Sequence, residues 1–239
     1  VNSNNNATNR WLLFYQEVNM KSKKLVIAVD GPAGAGKSTI AKEVAKKLNI
    51  EYIDTGAMYR ALTLKIIRSN VDMDNVEKIL KIMESTSIEF KNNHIYLDGT
   101  RVDNEIRENI ISTRVSFIAK IKEVRLMMIK LQQKMAEYTN VIMDGRDIGT
   151  VVLPNANYKF FITASVEERA LRRYKELIEK NNKDITYVQV LEEIKERDRI
   201  DSTRKIAPLR KSPDAYEIDT TNKTIDECVN EVINIIEGR

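Results

Sequence analysis

Hydrophobic and polar positions along this chain follow two alternating rhythms. Leu25-Val26-Ile27-Ala28-Val29 is an unbroken apolar run, the pattern of a parallel strand buried on both faces. From Lys37 the rhythm changes. Ala41, Val44, Ala45 and Leu48 recur at helical spacing and give a helix with one apolar face. Glu51-Tyr52-Ile53 reads as a short second strand. Asp54-Thr55-Gly56 then opens a helix that continues through Tyr59 and Arg60 toward Arg68, with Thr55 as its expected N-cap.

The next stretch has period two. Ile88 and Phe90 alternate, Asn92-Asn93 turns the chain, Ile95 and Leu97 alternate, and Asp98-Gly99 turns it again before Val102. This predicts a small antiparallel meander set into an otherwise α/β chain. Helical spacing returns after about Asn104 and holds through Ile111, Val115, Ile118, Ile121, Val124, Met128, Leu131 and Met135. Val141-Ile142-Met143 and Tyr158 to Ile162 read as further buried strands. Charged helical sequence follows from Val166 to Arg204, interrupted near Asn181 to Asp184. Ala215 to Ile218 reads as the last strand and Ile225 to Ile236 as a closing helix. Strands alternating with helices predict a mostly parallel sheet covered by helices on both faces. Pro32, Pro154, Pro208 and Pro213 all fall in predicted loops, and no internal repeat is visible.

Composition narrows the chemistry. With 239 residues, 42% hydrophobic and 31% charged, the chain can bury one substantial core, and a net charge of +4 is only mildly basic. Cys228 is the single cysteine, so no intrachain disulfide forms and a reducing, cytoplasmic setting is expected. His94 is the single histidine, which argues against a multi-histidine metal site or a Ser-His triad; it sits in the meander and reads as a surface residue, and Cys228 reads as core. No apolar run approaches the ~20 residues of a membrane span. Basic residues do not gather into a stripe with interleaved aromatics, so nucleic-acid binding has little support. Residues 1–19 read as an N-terminal extension, disordered or non-native, with a partner-binding tail as the alternative.

One motif stands out. Gly31-Pro32-Ala33-Gly34-Ala35-Gly36-Lys37-Ser38 fits G-x-x-x-x-G-K-[ST], the phosphate-binding P-loop, and lies between the first strand and the first helix. Glycines let backbone amides turn inward around an anion. The helix N-terminus and Lys37 add positive charge, and the Ser38 hydroxyl suits Mg²⁺. A dinucleotide fingerprint fails, because its third glycine would fall at Thr39, and no N-K-x-D guanine motif is present.

The arginines point to an acceptor that already carries phosphate. Arg60 follows Tyr59 on the second helix, and Arg146 ends the Val141–Met143 strand. Arg197, Asp201 and Arg204 lie within ~60° of one another on a helical wheel. Guanidinium groups bind phosphate oxygens bidentately and stay charged away from water. A phosphate acceptor is already anionic near neutral pH and needs no general base, so Lys37, Mg²⁺ and several arginines suffice for transfer. Two other readings remain open: an exposed ion-pair face at Arg197 to Arg204, and a similar face at Arg169, Arg172 and Arg173.

Ile53 to Arg60, Asp144-Gly145-Arg146-Asp147-Ile148-Gly149-Thr150 and Glu193 to Asp198, together with the β insert, closely resemble bacterial cytidylate kinases from about Lys24 to Ile236. The resemblance implies the P-loop nucleoside-monophosphate-kinase fold: a five-stranded parallel sheet flanked by helices, a small antiparallel β insert and a helical lid. It implies phosphorylation of CMP and dCMP with ATP and Mg²⁺; a monomer is the default expectation, since the sequence does not reveal the oligomeric state. Residues 20–72 would be core with the P-loop, 73–107 the monophosphate-lobe β insert, 108–171 core, 172–187 the lid and 188–239 core with the closing helix. Gly31 to Ser38 and Thr39 would bind ATP. Arg60, Arg146 and Arg204 would clamp the CMP phosphate, with Lys37, Arg146 and Arg204 catalytic. Arg197 and Asp201 would contact the sugar. Thr55, Ser116, Arg125 and Asp147 would read the base beside Tyr59, with Asp144 near phosphates and metal. Arg169, Arg172 or Arg173 would reach ATP from the lid.

Ser116 and Arg125 are nine residues apart, ~180° on a straight helix, so facing one base requires a break within about Ala119 to Glu123. Two rival functions remain: a P-loop kinase for another nucleoside monophosphate, and a nucleotide-binding module that does not catalyse transfer.

Overall fold

A computed structural model describes residues 24–91, 94–179 and 185–238. The 1–19 extension, the Asn92-Asn93 turn and the interruption at Asn181 to Asp184 lie outside the described residues. Five strands form one sheet: β1 (Val26–Asp30), β2 (Glu51–Asp54), β6 (Val141–Asp144), β7 (Tyr158–Thr163) and β8 (Tyr216–Asp219). Their order is β2-β6-β1-β7-β8, and the registered pairs are parallel, with Val29 opposite Asp144 and Asp144 opposite Asp54. The strand ends differ from the sequence expectation by a residue at most.

Alternation along β1 divides the core. Ala28 faces one side with Ile53, Val141 and Met143, and packs on α2 (Thr55–Arg68), α4 (Asn109–Lys120) and α5 (Lys122–Met135). Ile27 and Val29 face the other side with Ile142, Phe160 and Ile162, and pack on α1 (Lys37–Leu48) and α8 (Ile225–Glu237), whose Cys228 is buried. Both faces are therefore covered, as the apolar runs required. Helices α6 (Val166–Glu179) and α7 (Tyr187–Thr203) share a small third cluster built on Ala170, Leu177, Val190 and Ile194. The lid boundary assigned at residue 172 falls inside α6.

The meander is present as β3 (Ile88–Lys91), β4 (His94–Leu97) and β5 (Thr100–Arg101), paired antiparallel. The 73–107 segment also contains a helix the sequence reading did not place, α3 (Val76–Glu84), capped by the Asn75 side chain on the Lys78 amide. His94 is partly exposed and paired with Asp103 at 2.9 Å. The long periodic run is broken as the Ser116–Arg125 spacing demanded. Ile121 is extended (φ −66°, ψ 121°) between α4 and α5.

Two local expectations need correction. The N-cap of α2 is Asp54, not Thr55: its Oδ1 accepts from the Ala57 amide at 2.8 Å. Arg204 does not share a helical face with Arg197 and Asp201, because α7 ends at Thr203 and Arg204 is already extended.

Candidate active site

Because the strands are parallel, their C-terminal ends share one edge, and β1, β2, β6 and β8 each end there in aspartate. The chain leaves β1 toward β2 and β6 on one side and later fills β7 and β8 on the other. The loop after β1 therefore lies at the switch point where open α/β sheets bind ligands. That loop is the P-loop. Gly31 has φ +146°, and a Cβ there would stand 1.9 Å from the Ile162 carbonyl oxygen, so only glycine fits. Gly36 (φ 86°) precedes α1 and offers no side-chain cap, which leaves the amides of the first turn to an incoming anion.

Lys37 is buried and its Nζ donates to the Pro32 carbonyl at 2.6 Å. Burial pushes its pKa well below the ordinary lysine value, with Arg146 and Arg197 pushing the same way and Asp144 and Asp201 opposing. The P-loop lysine thus senses the charges that the sequence placed on the acceptor side. Ser38 donates to Asp144 Oδ2 at 2.8 Å and Tyr52 to Asp144 Oδ1 at 2.9 Å. Burial, then Asp54, raises the Asp144 pKa to about 6. Thr55, freed from capping, donates to the Asp144 carbonyl at 2.7 Å. Thr39 is exposed on the first turn of α1.

Beside this donor seat the arginines form a paired network. Arg60 meets Asp54 at 2.8 Å. Arg146 Nε meets Asp201 Oδ2 at 2.9 Å, and Arg204 reaches Asp201 Oδ1 and Asp147 Oδ1, both at 3.3 Å. Arg125 donates to Asp147 Oδ2 at 2.6 Å and to the Ala119 carbonyl at 3.2 Å, and lies 5.7 Å over the Tyr59 ring. Tyr59 is buried, which lifts its phenol to about 12. Burial alone would raise Asp201, but Arg146, Arg197 and Arg204 hold it below the usual carboxylate value. Arg197 shares with Arg60 and Arg125 a buried Nε that has no hydrogen-bond partner among the described residues, and burial, then Arg146, lowers its pKa to about 10.

The structure therefore brings Lys37, Ser38, Tyr59, Arg60, Arg125, Asp144, Arg146, Asp147, Arg197, Asp201 and Arg204 to one edge of the sheet. Ser116 is half-buried on α4 and its hydroxyl makes no hydrogen bond with a described residue, so it stands apart from the paired network. The three α6 arginines divide. Arg169 is buried and committed to the Ala33 and Ala164 carbonyls and to Asp198, so it props the P-loop. Arg172 binds Glu168 and Thr220 close to Gly36. Arg173 pairs with Glu176 and adds positive potential at Arg197.

Sequence reasoning missed four contributors: Asp30, Tyr52, Asp54 and Asp198. Asp30 and Asp54 carried a readable signal, an acid ending an apolar run at the edge where the P-loop begins. Tyr52 carried none, and Asp198, although it lies in the Glu193 to Asp198 stretch, gave no sign of its partner, because the importance of both lies in partners distant in sequence.

A family profile described as cytidylate kinase matches residues 27–238. A curated relative from Clostridioides difficile (strain 630), named cytidylate kinase, is 57% identical over 89% of this chain and 98% of its own length. One of the same name from Alkaliphilus oremlandii (strain OhILAs) is 53% identical over 89% of this chain and 97% of its own. A solved structure, an uncharacterized protein from Eubacterium ventriosum, aligns over 90% of this chain and all of its own with TM-score 0.52 at 14% identity, a likeness of fold. With the motifs, the P-loop geometry and these relatives in agreement, the chain belongs to the cytidylate kinase family.

Proposed function

We propose that this protein transfers the γ-phosphoryl group of ATP to CMP and dCMP, giving ADP and the cytidine diphosphates. One observation carries the reading: the charges of Arg146, Arg197 and Asp201 all act on the buried P-loop lysine, so that group lies beside the lysine at the sheet edge. Two phosphate seats therefore face each other across one sheet edge.

Donor phosphates fit the amides of Gly31 to Thr39, with Lys37 leaving the Pro32 carbonyl for the γ-phosphoryl oxygens. The acceptor phosphate fits Arg60, Arg146 and Arg204, and the sugar hydroxyls fit Arg197 and Asp201. Asp147 keeps lone pairs for the exocyclic amine of cytosine, while Arg125 supports it and Ser116 and Thr55 complete the base contacts beside Tyr59. Uracil presents a carbonyl where cytosine has that amine, so it meets the carboxylate acceptor to acceptor. Attack by an anionic acceptor oxygen needs no general base; Lys37, Arg146 and Arg204 spread the charge of the moving phosphoryl group. Arg172, beside Gly36, is the α6 arginine best placed toward ATP.

Ser38 and Asp144 present hard oxygen donors 2.8 Å apart, which suits Mg²⁺ held jointly with ATP phosphates. Bound there, the ion would neutralise phosphate charge. Among the described residues no cluster of His, Cys, Asp and Glu could hold a metal ion alone, and no helix is long and apolar enough to cross a membrane. The reading further makes the protein a cytoplasmic monomer acting on small molecules rather than nucleic acid.

Initial rates with CMP, dCMP, UMP, AMP and GMP at fixed Mg-ATP test the assignment. The two cytidine monophosphates should be strongly preferred. Preference for any other base would refute it, and ATP binding without monophosphate-dependent turnover would favour a non-catalytic module.

A further inference from the structure

Asp30 has no part in the chemistry above, yet it occupies a telling place. It ends β1 immediately before the P-loop and is 3% exposed. Its carboxylate is divided between two consecutive amides: Oδ1 accepts from Ile148 and Oδ2 from Gly149, each at 2.7 Å. No cation forms an ion pair with it among the described residues, although Lys37 lends it favourable potential and Asp147 opposes. The two amides open a single turn of π-helix, Ile148–Val152, directly after Asp147. Amides at a helix start have no partner within the helix, and π-turns recur at functional sites. Asp30 therefore caps that turn from a different strand, 118 residues away in sequence. The turn is also packed tightly at this point, because a Cβ at Gly149 would stand 3.1 Å from Lys159 Cδ and 3.4 Å from Asp30 Oδ2.

We propose that Asp30 is a positioning residue. It fixes the Asp147–Gly149 turn, and with it the base-reading Asp147, against the strand that launches the P-loop, so that the acceptor base is placed relative to the donor phosphates. This rests on the acceptor site proposed above. A buried carboxylate is costly unless its acceptor capacity is used. Here both oxygens are committed to the turn, while Ile148 and Val152 already bury the turn's apolar side.

The test measures KM for CMP and for ATP, kcat, and the CMP:UMP ratio of kcat/KM in Asp30→Asn, Gly149→Ala and Asp147→Asn. Asparagine offers one acceptor oxygen and turns an N–H₂ toward the second amide. Asp30→Asn should therefore raise KM for CMP about tenfold and lower the CMP:UMP ratio, with KM for ATP changed less than about twofold. Gly149→Ala crowds the same turn between Lys159 and Asp30 and should move the same quantities the same way, which keeps the test decisive should Asp30→Asn fold poorly. If KM for ATP and CMP rise together, or if thermal stability falls while KM and the ratio stay put, Asp30 is a structural fastener and the proposal is overturned. If Asp147→Asn shifts the ratio but the other two variants do not, the positioning role alone fails. If Asp147→Asn leaves the ratio unchanged, the acceptor-site reading fails and the proposal falls with it.

Discussion

Asp147→Asn is the perturbation whose two consequences separate most cleanly. In the folded chain the Asp147 carboxylate lies between two guanidinium groups, 2.6 Å from Arg125 and 3.3 Å from Arg204, with side-chain exposures of 2%, 5% and 8% for Arg125, Arg204 and Asp147. Breaking a buried ion pair typically costs 3–5 kcal/mol, because the surviving charge is left unpaired. The amide oxygen of asparagine retains one acceptor, and Asp201 still faces Arg204 at 3.3 Å, so the cost belongs near ~3 kcal/mol. For a chain of this size that lowers the thermal midpoint by roughly 10 °C. Loss of packing or charge balance acts on every substrate alike, but base reading does not. An asparagine can rotate its N–H₂ toward the uracil carbonyl, where aspartate offers only repulsion. One charge-assisted hydrogen bond is worth ~1.5–3 kcal/mol, so the CMP:UMP ratio of kcat/KM should fall about tenfold to a hundredfold. The ratio at saturating ATP, with urea unfolding of the same variant, reads both effects. A variant that loses stability but keeps the wild-type ratio would refute base recognition by Asp147 and leave it only the role of neutralising two arginines.

Further outcomes concern the donor loop and the strand beneath it. Lys37→Ala should cut kcat by about a hundredfold to a thousandfold, as removal of a charge stabiliser does; near-normal turnover contradicts the P-loop role. Gly31→Ala should abolish soluble folded protein or sharply lower its melting temperature, because the new Cβ would stand 1.9 Å from a backbone oxygen; a melting curve like the wild type's would contradict the tight turn. Burial holds the Asp30 pKa at about 6 in the folded chain against 3.8 when unperturbed, so the native state binds that proton first. The stability owed to the protonated group is full below pH ~4 and is lost as pH rises toward ~6, a change of about 3 kcal/mol. Asp30→Asn lacks that titration, so its stability relative to wild type should rise by about this amount between pH 4 and pH 7, as urea unfolding would show; a constant difference would contradict the elevated pKa.

Much of the fold was legible because its cause is local. Residues such as Val26 to Val29 and Val141 to Met143 form runs buried on both faces, and the α1 and α8 patterns carry one apolar stripe each. The break at Ile121 was legible by a different route: two side chains assigned to one base could not share a face of a straight helix. Helix α3 had a signal that went unread, with Val76, Ile79, Leu80 and Met83 at helical spacing. Asp54 and Thr55 are both good N-caps, and only the pull of the Asp144 carbonyl on the Thr55 hydroxyl decides between them. The turn after Asp147 was not legible at all. Ile148-Gly149-Thr150-Val151-Val152 has β-branched, strand-like chemistry, and its first two amides are capped by a carboxylate from β1, distant in sequence.

On the proposed reading, in which Arg60, Arg146 and Arg204 receive the acceptor phosphate, their pairing with Asp54, Asp147 and Asp201 makes acceptor recognition a ligand-exchange equilibrium. An arriving phosphate competes with carboxylates already in contact with those guanidinium groups, so each new contact is gained against an old one. A monovalent ion engages one arginine and displaces little. A dianion that spans several arginines at once regains more than it breaks, which filters abundant small anions from mononucleotides. Departure of the diphosphate is eased by the same exchange, because the carboxylates return as the phosphates leave. On that reading the aspartates are resident competitors that would keep a strongly cationic cleft from becoming a phosphate trap.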